Sequence, residues 1–445
     1  MRIELRVMKS MDTIFVPSLK SKLIPKGFEL LEGLENIYEL EFALAEIKSL
    51  DKEELINRSA YFRKINGMET IHYKLCVGLD LLGTNASTRL KAFFKRFQFK
   101  TGYATHGLFP YKGKFHPQLI KGLMNIMRLK SNDIVLDPMT GSGTTNIEAS
   151  IIGLDSIGID ANPFCVFMTR TKADALRMEK KDLGKFRDVN NLFDFFSNTT
   201  EAQLTLAEKS AFEFLKKEFD KKPAIRNFFL LCYLDSVAYS KRRKNKTPKD
   251  VFPIVYERYM NALENFVTVR DKNDLELGDV YSAEGDARDL TDLKSGNIKQ
   301  IDDNEIDGII TSPPYYFAID YLEEDRPQLE YMDHNIDEIK KKMIGLRGKD
   351  FKIKIELFSN DMSSVFSEMH RVLKNNRYTS VIIGYNTVQI QRELKEIGVN
   401  LSEKIVSLAK DNGLGLQKHI MRPIEGARNI MQTEDIFIFQ KIKSS

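Results

Sequence analysis

Ser312-Pro313-Pro314-Tyr315, within DGIITSPPYYFAIDY, gathers a hydroxyl, two prolines and an aromatic ring on one short loop behind the apolar pair Ile309-Ile310. The prolines fix φ and remove two backbone N–H donors, so the local carbonyls are rigid and free to accept from a ligand. The Ser312 hydroxyl adds a second acceptor and Tyr315 a flat surface for stacking. That set suits a planar group bearing an exocyclic NH₂. A bare Pro-Pro pair is equally a turn after a strand, so the rest of the chain has to discriminate.

Asp137-Pro138-Met139-Thr140-Gly141-Ser142-Gly143-Thr144 is the second such element. Glycines at 141 and 143 let the backbone turn sharply and approach a ligand, as in dinucleotide-binding loops. There is no third glycine and no Gly-Lys-Ser/Thr, so a triphosphate is not implied. Asp160, 23 positions after Asp137, ends the run Ser156–Ile159. A carboxylate at the tip of a second strand can grip a ribose diol; a helix N-cap before Pro163 is the other reading. Asp286, in Gly285-Asp286-Ala287-Arg288-Asp289, could accept from an adenine amino group or be a plain loop carboxylate.

These residues need a scaffold. The patterns predict strands over 133–136, 156–159, 280–283, 306–310, 378–383 and 436–439, with a helix over 120–129. The first two strands flank the glycine loop as a βαβ unit. Residues from about 176 to 275 read as helical, polar and lysine-rich, an insertion into the α/β domain. Arg89–Lys100 interleaves bases with aromatics, which suits an amphipathic helix or a nucleic-acid stacking surface.

The chain has 445 residues, 42% hydrophobic and 29% charged, with net charge +4, enough for two or three domains and a full α/β core. The mild charge permits a polyanionic partner without demanding one. Cys76, Cys165 and Cys232 are far apart with no CxxC, so neither a disulfide framework nor a thiolate zinc site is expected. His106 and His116 lie ten apart without a third ligand nearby, so no metal is expected. The longest apolar stretch, near Phe228–Leu234, is too short to span a bilayer. The N-terminus lacks the apolar run of a signal peptide. A soluble cytoplasmic protein is expected.

Together these motifs resemble the S-adenosylmethionine-dependent amino-methyltransferases of DNA, which methylate cytosine N4 or adenine N6. Asp137–Thr144 is similar to their cofactor loop, Gly158-Ile159-Asp160-Ala161-Asn162-Pro163 to the ribose-binding segment, and Thr311-Ser312-Pro313-Pro314-Tyr315 to the catalytic loop. Gly113-Lys114-Phe115-His116-Pro117-Gln118-Leu119 resembles the element that closes over the methionine end. Ala318–Tyr321 and Met343–Gly348 are also similar to relatives with the TSPPY form. His370-Arg371-Val372-Leu373-Lys374 resembles the helix end that many methyltransferases follow with a Pro-Gly-Gly turn, here Asn375-Asn376-Arg377. The resemblance covers roughly residues 101–175 and 276–445.

It implies a Rossmann-like class I methyltransferase fold, α/β, with a twisted, mostly parallel sheet. Its parts would be an N-terminal extension (1–100), a cofactor-binding core (101–175), a helical insertion for target recognition (176–275) and a catalytic core (276–445). S-adenosylmethionine would be held by Lys114, Phe115, His116, Asp137, Pro138, Thr140, Gly141, Ser142, Gly143, Thr144, Asp160, Ala161, Asp286, Ala287 and Thr311. Ser312, Pro313, Pro314 and Tyr315 would be catalytic. The Ser312 hydroxyl and Pro313 carbonyl would accept the two amino hydrogens, and Tyr315 would stack on a flipped base. Serine at 312 leans towards cytosine N4. No Pro-Cys pair occurs, which argues against attack through cytosine C5.

Lys241, Arg242, Arg243, Lys244 and Lys246 put five cations in six residues, a candidate contact to double-stranded DNA or a solvated turn. The stretch Gly413–Pro423 reads as a flexible glycine-basic loop whose Arg422 could touch the DNA backbone, with Arg428 nearby. A cognate restriction endonuclease is an expected partner. A tRNA or rRNA base methyltransferase, and an inactive nucleic-acid-binding relative, are the alternative functions.

Overall fold

The computed structural model describes residues 16–77, 101–111, 113–197, 205–294, 298–314, 321–345, 347–386, 395, 398–423 and 431–442. Period-two alternation builds its main sheet, because successive strand side chains point to opposite faces. In β4 (Ile134–Asp137), Leu136 joins one apolar layer and Val135 the other. The same split separates Ile309 from Ile310 in β8 (Ile306–Thr311), and Val381 and Ile383 from Ile382 in β9 (Leu373–Asn386).

The remaining strands of this sheet are β5 (Asp155–Asp160), β6 (Val280–Asp286), β7 (Asp289–Lys294), β10 (Leu414–Pro423) and β11 (Met431–Lys441). A small separate sheet holds β1 (Phe28–Leu30), β2 (Phe62–Ile65) and β3 (Met68–Glu69). The large sheet runs β10-β11-β9-β8-β4-β5-β6-β7. The pairs among β9, β8, β4, β5 and β6 are parallel; β7, β11 and β10 pair antiparallel. Helices cover both faces, as parallel strands require. This is the doubly wound α/β architecture of class I methyltransferases, with β4 and β8 adjacent at the reversal of strand order.

Two compact units make up the chain. The sheet unit comprises Met1–Tyr73, Phe115–Val166 and Glu276–Ser445; the helical unit comprises Lys74–Lys114 and Phe167–Leu275. The described residues 16–73 are built into the sheet unit. Leu34, Phe42, Tyr61 and Phe62 share an apolar layer with Leu119, Leu123 and Val135. Buried polar contacts pin that layer. Glu46 accepts from the Ala60 N–H (2.9 Å) and the Asn125 amide (2.7 Å), and Asn125 also donates to the Arg58 carbonyl (3.0 Å). Burial pushes the Glu46 carboxyl up to about 7.

In the helical unit, helices Pro223–Ser240 and Pro248–Lys272 pack around aromatic rings: Phe186 stacks on Phe219 at 5.1 Å, and Phe228 meets Tyr259 edge-on at 5.5 Å. Among the described residues no helix is long and apolar enough to cross a membrane. Arg89–Lys100, with its interleaved aromatics, lies outside the described residues, as does Arg428.

The stretch expected to be a flexible loop at 413–423 is instead strand β10. Its basic side chains lie on an edge strand, where charge is compatible with pairing on one side only.

Candidate active site

The carboxyl ends of β4, β5 and β8 converge on two acids. Asp137 ends β4 and is fully buried. One of its oxygens accepts from the Thr311 hydroxyl (2.9 Å) and the Met139 N–H (3.2 Å); the other accepts from the Thr145 hydroxyl (2.8 Å). Burial pushes its carboxyl up to about 7, against those hydrogen bonds and with a smaller contribution from Asp160. Asp160 ends β5, half-buried, and accepts from the N–H groups of Gly141 (2.8 Å) and Asn162 (2.9 Å). Burial raises it to about 6.

The glycine loop folds over these acids. Gly141 and Gly143 sit at φ +51° and +77°, the left-handed region where a Cβ would be strained. Gly143 caps the helix Thr144–Ile151, whose first turn carries no acid. Thr140 donates its N–H to the Ile159 carbonyl (2.8 Å) and its hydroxyl to Asn146 (2.5 Å), while the Ser142 and Thr144 hydroxyls meet at 3.1 Å. Pro138 is buried and Ala161 is half-buried beside Asp160.

Thr311 is the last residue of β8, so its bond to Asp137 joins the strand that launches the Ser-Pro-Pro loop to the strand that launches the glycine loop. Ser312 and Pro314 are half-buried and Pro313 is buried. Tyr315 lies outside the described residues.

Asp286 ends β6 and is gripped by Arg288, whose Nε donates to both of its oxygens (2.9 and 3.1 Å) and whose Nη2 donates to one (2.6 Å). Arg288 also donates to Asp361 (2.7 Å) and to the Lys342 carbonyl (3.2 Å). Arg347 takes both oxygens of the same Asp361. Ala287 is buried.

The other expected site residues make contacts of their own. The Lys114 ammonium donates to the carbonyls of Thr101 (2.5 Å) and His106 (2.8 Å) inside the helical unit, and burial pushes it down to about 8. Phe115 is part of the apolar layer under the sheet, and His116 is the N-cap residue of helix Pro117–Ile126. Lys241, Arg242, Arg243, Lys244 and Lys246 are exposed on the turn between the two long helices, with the Arg243 guanidinium 5.0 Å from the Tyr239 ring centre. Arg422 pairs with Glu434 (2.7 Å) and donates to the Tyr38 hydroxyl (3.2 Å).

Asn162 and Asp325 are residues that sequence reasoning misses. The Asn162 amide donates to Asp325 at 2.9 Å, both nearly fully buried, which ties the Asp160 segment to the helix Tyr321–Tyr331 that follows the Ser-Pro-Pro-Tyr loop. Asn162 has the texture of an ordinary turn residue within Ala-Asn-Pro, and nothing local marks Asp325 among its neighbouring acids.

The donor set fits a nucleoside with a cationic tail. Asp160 keeps lone pairs beyond its two backbone bonds, the glycine loop admits a close ligand, and among the described residues no lysine or arginine ion-pairs with Asp137 or Asp160. S-adenosylmethionine is such a ligand.

Comparison with known proteins supports this. A family model described as RMKL-like, methyltransferase domain, matches residues 107–206. The chain is 30% identical to the type II methyltransferase M.MjaII of Methanocaldococcus jannaschii over 178 residues, 40% of this chain and 31% of that protein. It is 23% identical to the type II methyltransferase M.BsoBI of Geobacillus stearothermophilus over 388 residues, 78% of this chain and 72% of that protein. A tRNA (guanine(10)-N2)-dimethyltransferase of M. jannaschii shares 44% identity over 50 residues, 11% of this chain and 14% of that protein. The chain thus spans under a third of the length of M.MjaII and about seven tenths of M.BsoBI. Fold, site and matches agree: the chain carries an S-adenosylmethionine-dependent methyltransferase domain similar to those of type II methyltransferases.

Proposed function

We propose that this chain methylates the exocyclic amino group of a base flipped out of duplex DNA, with cytosine N4 favoured over adenine N6. The observation that carries the reading is the Thr311–Asp137 bond. It fixes the start of the amino-accepting loop one strand away from the cofactor loop, at the carboxyl ends where α/β sheets bind ligands. The type II methyltransferase relatives support the substrate class.

S-adenosylmethionine, when bound, supplies an electrophilic methyl group. The chain's own residues do the positioning. Asp160 would hold the ribose hydroxyls, with Gly141 and Ala161 beside them. Asp137 would act through the loop, by locking Thr311, Thr145 and Met139 together. Asp286 would accept from the adenine amino group while Arg288 holds its carboxylate in place.

The base nitrogen is a poor nucleophile because its lone pair is delocalised into the ring. Acceptance of its hydrogens by the Ser312 hydroxyl and the Pro313 carbonyl would localise that pair for in-line attack. Tyr315 would stack on the base. The five cations of the 241–246 turn would contact phosphates. Such an activity would protect host DNA from a cognate endonuclease.

The test is to express the chain in a methylation-free host and to read the native DNA for modified bases. N4-methylcytosine at one motif is the expected result. N6-methyladenine would reverse only the choice of base. A second reading, methylation of tRNA, is favoured by the 50-residue match to a tRNA enzyme; modified tRNA with unmodified DNA would establish it.

A further inference from the structure

Between residues 340 and 354 the chain carries seven lysines and arginines and one acid, in KKKMIGLRGKDFKIK. Lys340 and Lys341 end the helix Ile336–Lys342; Lys349 and Lys352 flank the start of helix Phe351–Val372. All four are exposed. Among the described residues, none of the four lies within ion-pair reach of a carboxylate. Their neighbours are different: Lys342 faces Glu284 at 3.4 Å and Arg347 is bound to Asp361.

This segment is mounted rigidly and close to the proposed base-accepting loop. Ile339, Met343 and Ile344 are buried anchors. Arg288 bridges Asp286, Asp361 and the Lys342 carbonyl, and Arg347 closes on Asp361 from the other side. Gly345, at φ +84°, turns between the two lysine pairs, and a Cβ there would stand 3.9 Å from Cβ of Pro314. Four cations without an ion-pair partner among the described residues are thus held on both sides of the turn that approaches the Ser-Pro-Pro loop.

We propose that Lys340, Lys341, Lys349 and Lys352 form a phosphate clamp that grips the DNA backbone beside the flipped nucleotide. The inference rests on the DNA-methylation reading and adds to it a named contact surface in the sheet unit, apart from the 241–246 turn of the helical unit. Extruding a base costs unstacking and unpairing energy, and phosphate contacts fix register and orientation without reading sequence. Lysines suit that task as point charges on flexible stems. The fixed Arg347 and Arg288 supply the mounting.

The experiment is the salt dependence of binding to a duplex oligonucleotide, which is sequence-independent and needs no recognition site. The variant K340Q/K341Q/K349Q/K352Q should lower the slope of log affinity against log salt by about 3 to 4, near 0.9 for each phosphate that is no longer neutralised. Its S-adenosylmethionine affinity should stay within about twofold, showing that the fold is kept. A charge-matched control, K52Q/K130Q/K404Q/K410Q, replaces four exposed lysines elsewhere in the sheet unit and should leave the slope within about 1 of the parent.

An unchanged slope in the first variant, or an equal fall in the control, overturns the clamp while leaving DNA methylation by the parent intact. Loss of affinity for a folded RNA transcript, with duplex binding unaffected, also overturns it. A parent chain that binds cofactor but modifies no DNA removes the underlying reading, and the clamp with it.

Discussion

At the amino ends of the central strands, Asp307 is buried between cations: Lys374 and Arg377 each donate at 2.8 Å, and the Ile134 N–H donates at 3.1 Å. At the carboxyl ends of the same strands, Asp137 and Asp160 receive hydroxyl and backbone N–H donors, and among the described residues no cation. The first arrangement is closed, since the charge is answered within the protein. The second holds its acids by neutral dipoles and leaves their charge to be met by something else. A buried carboxylate without a cation shifts towards the protonated form, and both acids do so. One end of the sheet answers its charge internally; the other holds the acids that, on the proposed function, meet a positively charged ligand.

Ser312→Ala should give the largest effect at the receiving end. Removing a preorganised acceptor should lower methyl transfer roughly 100- to 1000-fold, with cofactor affinity within about threefold, measured by product mass spectrometry and calorimetry. Full activity in this variant would break the assignment of the loop. Asp160→Ala should raise the cofactor dissociation constant roughly ten- to a hundredfold, about 1.4 to 2.8 kcal/mol. Asp307→Ala should do the converse. It should cost about 2 to 3 kcal/mol of unfolding free energy, because a charged hydrogen-bond set is lost, with affinity unchanged. If Asp307→Ala weakened binding as much as Asp160→Ala, the two ends would not be functionally distinct.

The acids also make a pH prediction. Their folded-state values, about 7 and about 6, lie above the ordinary carboxylate value of about 3.9. Their protonation therefore favours the folded chain. That contribution is complete below about pH 4 and is lost as pH rises through about 6 to 7. A bound cation should draw both values down, so cofactor binding near pH 6.5 should release protons. Calorimetry in two buffers of different ionisation enthalpy reads this directly, and Asp137→Asn should diminish the release. Binding without proton release would remove the distinction drawn from neutral donors.

The smallest effect concerns the Asn162–Asp325 bond. Asn162→Asp alone sets two buried carboxylates face to face and should cost about 1 to 2 kcal/mol. Exchanging the pair, Asn162→Asp with Asp325→Asn, should recover most of that, because the bond re-forms with its polarity reversed. A double-mutant cycle on thermal unfolding, with cofactor affinity as a second readout, isolates the pairwise contribution. No recovery in the exchanged pair would show that the bond does not couple the two segments.

The sequence reveals what local pattern encodes. Strands β4, β5, β8, β9 and β11 are legible because their apolar runs are buried on both faces, and the glycine and Ser-Pro-Pro loops because their chemistry is compact in sequence. β10 is hidden because an edge strand tolerates glycine and base, so Leu414–Pro423 has the texture of a loop. The covering layer of residues 16–73 is hidden for another reason. Glu46, Lys121 and Glu148 look like surface charges in sequence, yet all three are buried, and Lys121 pairs with Glu148 at 3.2 Å. Arg422 likewise reads as a free cation in sequence, yet it is engaged by Glu434 and Tyr38. Whether a cation faces water or a buried partner is decided by residues far away in the chain, such as Tyr38 for Arg422.

The place of β11 has a consequence for how the molecule is made. It is inserted between β9 and β10, both of which precede it in sequence. As the ribosome delivers the chain, β10 has no neighbour in the sheet until β11 emerges and bridges it to β9. The strands that frame the candidate site, β4, β5 and β8, are all synthesised earlier. The site's scaffold can therefore collapse while one flank of the sheet is still open, with β9 exposing an unpaired edge. That interval is when the nascent protein is most vulnerable to pairing with a neighbour of its own kind.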